Sequence, residues 1–137
     1  MMRSAMWRRP LPLAVFYLFA GTMHFVKPRA YQAIVPDWLP AKREIVYASG
    51  VAELAGGAGV LHPRTRRAAG WWLIATLIAI FPANVNMAVN AGRFRAIPPW
   101  TLWARLPIQA LLIAWAHRAT NGAGRARSSA RARGFRN

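Results

Sequence analysis

Residues 68–89 read AAGWWLIATLIAIFPANVNMAV, without one ionisable side chain. A helix of that length rises about 33 Å, enough to cross a hydrocarbon core of about 30 Å. In lipid a helix is the single-segment structure that satisfies its own backbone hydrogen bonds. Three further apolar blocks flank this one: 10–26 (PLPLAVFYLFAGTMHFV), 44–61 (EIVYASGVAELAGGAGVL) and 100–119 (WTLWARLPIQALLIAWAHRA). Four such blocks in 137 residues leave a water-soluble fold almost no polar faces. The chain therefore reads as all-α, an integral membrane four-helix bundle with spans at about 10–26, 44–61, 68–89 and 100–119. Block 10–26 also fits a cleaved signal peptide, which would leave three spans. Its apolar character continues past the small residues Ala20 and Gly21 to Val26, which favours a retained span.

The composition agrees. Hydrophobic residues make up 55% of the chain and charged residues 16%, against about 25% charged in soluble domains. Seven Trp and six Phe exclude a disordered basic chain, although the net charge is +16. The cations cluster between apolar blocks and not along one polar face, so no nucleic-acid partner is expected. There is no cysteine, which excludes disulfides, thiol redox pairs and thiolate metal sites.

Charge also orients the bundle. With four spans, the N-terminus, the 62–67 turn and the C-terminal segment share one side. They carry three (Arg3, Arg8, Arg9), three (Arg64, Arg66, Arg67) and six (Arg118, Arg125, Arg127, Arg131, Arg133, Arg136) cations. The opposite loops carry six: Lys27, Arg29, Lys42, Arg43, Arg93 and Arg95. This asymmetry predicts a multi-pass protein of the cell membrane with both termini cytoplasmic. Residues 120–137 read as a disordered Arg-rich tail held against anionic lipid.

Polar side chains inside an apolar span are costly, at roughly 2.5–3.5 kcal/mol for an ionisable group at the helix centre. Five stand out: His24, Glu53, Asn84, Arg105 and Gln109. From the helical rise they fall about 3, 14, 8, 8 and 14 Å below the outer surface, all in the outer half of the bilayer and on all four spans. Arg105 and Gln109, four residues apart, share one helix face. The simplest assembly pairs Glu53 with Arg105 and uses the others as hydrogen-bonding neighbours. Such a cluster can fix helix register alone; the number of converging groups favours a ligand, proton or redox-partner site.

Pro82 and Pro107 each free a carbonyl one turn earlier, and Asn86 and Asn90 are candidates to satisfy such groups. Ala48, Ala52 and Gly56 form a small-residue row for close helix contact, with Ser49, Glu53 and Gly57 beside it. The connection 27–43 (KPRAYQAIVPDWLPAKR) reads as a short interfacial segment between the first two spans, with Tyr31 and Trp38 as anchors. His24 lies across the bilayer from His62 and His117 and cannot pair with either; a His62–His117 pair is conceivable, but histidines at helix ends are more often interface residues, so no haem or metal site is expected. No phosphate loop, nucleophile elbow or carboxylate pair is present, and enzymatic activity stays open.

These residues resemble the DoxX-like family of small four-span membrane proteins. The likeness covers about residues 10–119. It rests on Gly21-Thr22-Met23-His24-Phe25 with Pro28 and Tyr31, Ile34-Val35-Pro36 with Leu39-Pro40, and Ser49-Gly50-Val51-Ala52-Glu53. The runs 63–69 (PRTRRAA), 81–84 (FPAN) and 105–109 (RLPIQ) complete it. The resemblance implies a four-helix membrane fold, a polar ligand-binding site at His24, Glu53, Asn84, Arg105 and Gln109, and quinone-linked redox work as an accessory subunit. In that reading His24 is a candidate proton carrier. The implied partners are the lipid bilayer and a membrane redox protein or a second copy. The alternative is a non-enzymatic scaffold or stability factor whose polar cluster only fixes packing.

Overall fold

A computed structural model describes residues 9–134, with side chains described for 9–122. The described residues form five α-helices and a 3-10 turn, with no strand: α1 (Pro10–Val26), α2 (Pro28–Gln32), α3 (Lys42–Leu61), α4 (Arg66–Val89), the 3-10 turn Ala91–Arg93, and α5 (Pro99–Gly134). The four long helices cover the four apolar blocks. Of these, α4 is long and apolar enough by itself to cross a membrane, and only 28% of its most apolar stretch is buried inside the protein. A core helix of a water-soluble protein would be mostly buried.

Local chemistry sets the boundaries. Pro10 starts α1, where its missing N–H costs nothing. Pro28 stops α1 from running on and opens α2. His62 is extended (φ −89°, ψ 129°) because Pro63 follows it, and α3 ends there. The last α3 carbonyls are taken by the next turn: Thr65 Oγ1 donates to Gly59 O (2.7 Å) and Arg66 Nε to Val60 O (3.0 Å). The helix of block 100–119 does not stop at Ala119 but continues through Gly134, so the backbone of the expected disordered tail is helical to that point. Ala and Arg are strong helix formers, and a helix already nucleated extends through them at little cost. Arg3, Arg8 and Arg136 of the charge asymmetry lie outside the described residues.

Helix α1 packs along α3, α3 against α4, and α4 against α5, whereas α1 and α5 barely meet. One half of the bundle is tight. Leu13, Ala14, Tyr17, Val60, Leu73, Leu77 and Ala116 form its core, at the end carrying the α3–α4 turn. Glycines allow the close approach there. A Cβ on Gly57 would meet Ala14 O and Leu18 N on α1 at 3.1–3.2 Å, and one on Gly70 would overlap the Thr120 side chain. Trp72 Nε1 donates to Ala52 O (2.8 Å), tying α4 to α3. At the other end α1 and α3 stay in close contact while α3 and α5 stand apart, and residues 33–41 cross between α2 and α3. This strap is clasped from outside: Asp37 accepts from Lys42 Nζ (2.6 Å) and from Arg93 Nη1 (2.7 Å). Asn86 Nδ2 donates to Ile34 O (3.1 Å). Ala41, in the left-handed region (φ 55°), turns the strap into α3.

The exterior is apolar. Leu11, Phe19, Val51, Ile78, Trp103 and Leu111 are all more than half exposed, while His24, Glu53, Gln109 and Thr120 are buried.

Candidate functional site

The separation of the helices beneath the strap leaves a cavity of about 770 Å³. Its walls come from all four long helices, and Tyr31, Val35, Pro36 and Leu39 roof it. All five polar residues singled out in the sequence line it: His24 from α1, Glu53 from α3, Asn84 from α4, Arg105 and Gln109 from α5. Most of the remaining wall is aliphatic or aromatic.

The pairing inside the cavity differs from the sequence expectation. Glu53 and Arg105 do not form an ion pair. Helices α3 and α5 are not packed against each other, and the cavity lies between them. The group facing Glu53 is His24, with Nδ1 3.7 Å from Oε2, too long for a hydrogen bond. That nitrogen is already engaged with Ala20 O at 2.9 Å. A carbonyl only accepts, so Nδ1 carries the proton. The imidazole stacks on Tyr31 (centroids 4.0 Å apart, 25° between planes), which fixes its ring against the roof. Arg105 Nη1 contacts Met87 Sδ at 3.3 Å, a weak acceptor for a guanidinium. Burial pushes the Tyr31 phenol above its ordinary value; Glu53 adds to that rise and Arg105 opposes it, so Tyr31 sits within reach of both charges.

Asn84 and Gln109 behave differently. Asn84 Nδ2 donates to Gln109 Oε1 (2.6 Å), and Gln109 Nε2 donates to Leu77 O. This chain stitches α5 to α4 beside Pro82, the residue that cannot donate to Ile78 O. The roles expected for Asn86 and Asn90 also change. Asn86 reaches the strap and not a proline-freed carbonyl, because it stands at the roof end of α4. Asn90 donates to Asn86 O and Oδ1 (3.0 and 2.9 Å), capping the end of α4.

Two of the cavity-lining residues carry a buried polar atom with no hydrogen-bond partner among the described residues: Glu53 Oε2 and Tyr17 Oη. Glu53 is only 5% exposed and Tyr17 2%. Buried polar groups are almost always satisfied, and an unmet one costs about 1–3 kcal/mol or more. Tyr17 was not a sequence candidate. The available signal was its spacing: Tyr17, Gly21 and His24 fall on one face of α1, and all three are buried. Among the described residues, no three His, Asp or Glu side chains come together.

The fold and cavity together define a class: an all-α helical protein, apolar outside, with a polar-floored internal cavity under a strap. Within that class the chain belongs to the family described as Domain of unknown function (DUF8561), whose model matches residues 13–120. That range contains the four long-helix segments lining the cavity, the strap, and every polar residue of the cavity. No curated protein and no solved structure matches the chain.

Proposed function

We propose that this is a four-span membrane protein which holds a lipid-soluble small molecule by its polar head in the cavity, in the outer half of the bilayer. The observation that carries the reading is Glu53, a buried carboxyl whose Oε2 has no hydrogen-bond partner among the described residues, on a residue that lines a cavity large enough for a cyclic headgroup. The apolar exterior supports the membrane setting, since exposed apolar surface of this extent has no place in water. Aliphatic and aromatic walls suit a tail, and Arg105, Glu53 and Tyr17 offer polar contacts to a head. The DoxX-like resemblance adds the chemical class, a quinone-like ring, and the setting, an accessory subunit of a membrane redox system. Both termini face the cytoplasm in this reading, and the strap covers the outer mouth.

A second reading has its own support. The Asn84–Gln109–Leu77 chain is satisfied internally and joins two helices, as a pure packing device would. In a scaffold or stability factor, partner binding would survive Glu53→Gln and Arg105→Met.

The test is the lipid-soluble material retained by protein purified from its native membrane, identified by mass spectrometry. A single ring-bearing molecule enriched over bulk lipid, and lost in Glu53→Gln or Arg105→Met, is the expected result. Bulk phospholipid alone, identical in all three proteins, overturns the binding reading.

A further inference from the structure

We propose that the four long helices work as two arms, α1 with α3 and α4 with α5, and that the Asp37–Arg93 ion pair latches the arms shut over the cavity. The latch follows from the packing; its use in admitting a ligand rests on the binding reading above.

Each arm is tied along its length. In the first, a Cβ on Gly57 would crowd Ala14 and Leu18, and one on Gly50 would stand 2.8 Å from His24 Cβ. Nearer the roof, Phe25 stacks on Tyr47 (centroids 5.3 Å apart, 3° between planes). In the second arm Gly70 abuts Thr120, Gln109 donates to Leu77 O, and Arg105 reaches Met87. The arms meet away from the roof, where Trp72 Nε1 donates to Ala52 O and Phe16 lies against Trp115 (centroids 5.8 Å apart). Between their roof ends lies the cavity. Among the described residues, the polar links between those ends run through the strap: Asn86 Nδ2 to Ile34 O and Arg93 Nη1 to Asp37 Oδ2.

The strap belongs to the first arm, because it runs directly into α3; Arg93 belongs to the second, in the connection from α4 to α5. Asp37 therefore holds two cations with different consequences. Lys42 is the first residue of α3, so its pair with Asp37 stays within one arm. Arg93 pairs with Asp37 across the mouth. Both side chains of that pair are more than half exposed, and such a pair is weak enough to break and re-form while the packed end stays shut. Two tied bodies, packed at one end and joined by a weak contact at the other, form a hinge with a latch.

The experiment places one cysteine on the cavity wall of the full-length protein in detergent. Val46 lines the cavity and is only 3% exposed, and the chain has no other thiol. The rate at which N-ethylmaleimide modifies Val46→Cys therefore reports how often the arms part. Adding Arg93→Gln should raise that rate about two- to fivefold, the range of one exposed ion pair. Asp37→Asn should raise it as much, and either variant suffices if the other does not fold. Lys42→Gln should leave the rate unchanged, although it too removes a charge from the clasp. An unchanged rate with Arg93→Gln overturns the latch, and so does an equal rise with Lys42→Gln, which would mark general loosening of the strap. The measurement needs no ligand, so the latch and the binding reading stand or fall separately.

Discussion

Glu53 stands at the centre of the chemistry because it lacks what a buried carboxylate usually has. A structural ion pair stabilises through its partner, and removing one member is costly. An unpartnered carboxyl is instead a net cost to the fold, which the binding reading explains by the ligand it would hold. Glu53→Gln should therefore leave the ligand-free protein as stable as wild type or more so, read as an unchanged or higher unfolding midpoint in detergent. A fall in that midpoint would mark Glu53 as a packing residue. Gln109→Leu should do the opposite, costing about 1–3 kcal/mol, because it strands the Asn84 amide in the interior. Denaturant unfolding of the two variants side by side checks both signs. The five polar positions were legible in the sequence because each interrupts an apolar run where polarity is expensive. Their pairing was not legible, since whether Glu53 meets Arg105 depends on which helices pack directly and which face each other across a gap. Tyr17 was hidden for another reason: a phenol in an apolar block looks like an ordinary packing aromatic until its hydroxyl is seen to be buried.

At the scale of the elements, glycine contacts and the strap divide the work. A Cβ on Gly21 would stand 2.9 Å from Gly50 O and 3.0 Å from Leu54 N, both backbone atoms that cannot move aside alone. Gly21→Ala should force α1 away from α3 and cost about 1–3 kcal/mol. Gly92→Ala, with nothing within 4 Å of its new methyl, should be neutral to within about 0.5 kcal/mol. Unfolding midpoints of the pair separate close packing from mere composition. The strap is held by charge: Lys42 and Arg93 beside Asp37 keep its carboxyl at about 2, below the ordinary carboxylate range. A lowered folded value means that the clasp contributes fully above the unfolded value near 4 and is lost as pH falls through 2. The difference in unfolding midpoint between wild type and Asp37→Asn should thus be present at about pH 6 and vanish near pH 2. The small-residue rows announced close helix contact, and the Pro-rich connection announced a segment lying across the bundle end. The sequence could not announce the Asp37–Arg93 clasp, which joins two loops 56 residues apart. Nor did composition reveal the long α5, because an Arg-rich segment looks disordered when read apart from the helix that precedes it.

For the whole molecule the governing contrast is apolar outside, polar within. A tight half closes one end of the bundle and a cavity opens the other. In the membrane reading the tight half lies toward the cytoplasm, where Arg64, Arg66 and Arg67 sit, and the strap lies outside. The depth of the site, its access for lipid-soluble molecules and the role of the strap all depend on that placement. The chain contains no cysteine, so single cysteines report without background. The decisive measurement introduces Trp38→Cys in the strap or Arg64→Cys in the α3–α4 turn and treats intact cells with a membrane-impermeant thiol reagent. The Trp38→Cys protein should label from outside, and the Arg64→Cys protein only after the membrane is opened. Labelling of both from the same side would contradict a bundle that spans the membrane with its cavity facing out.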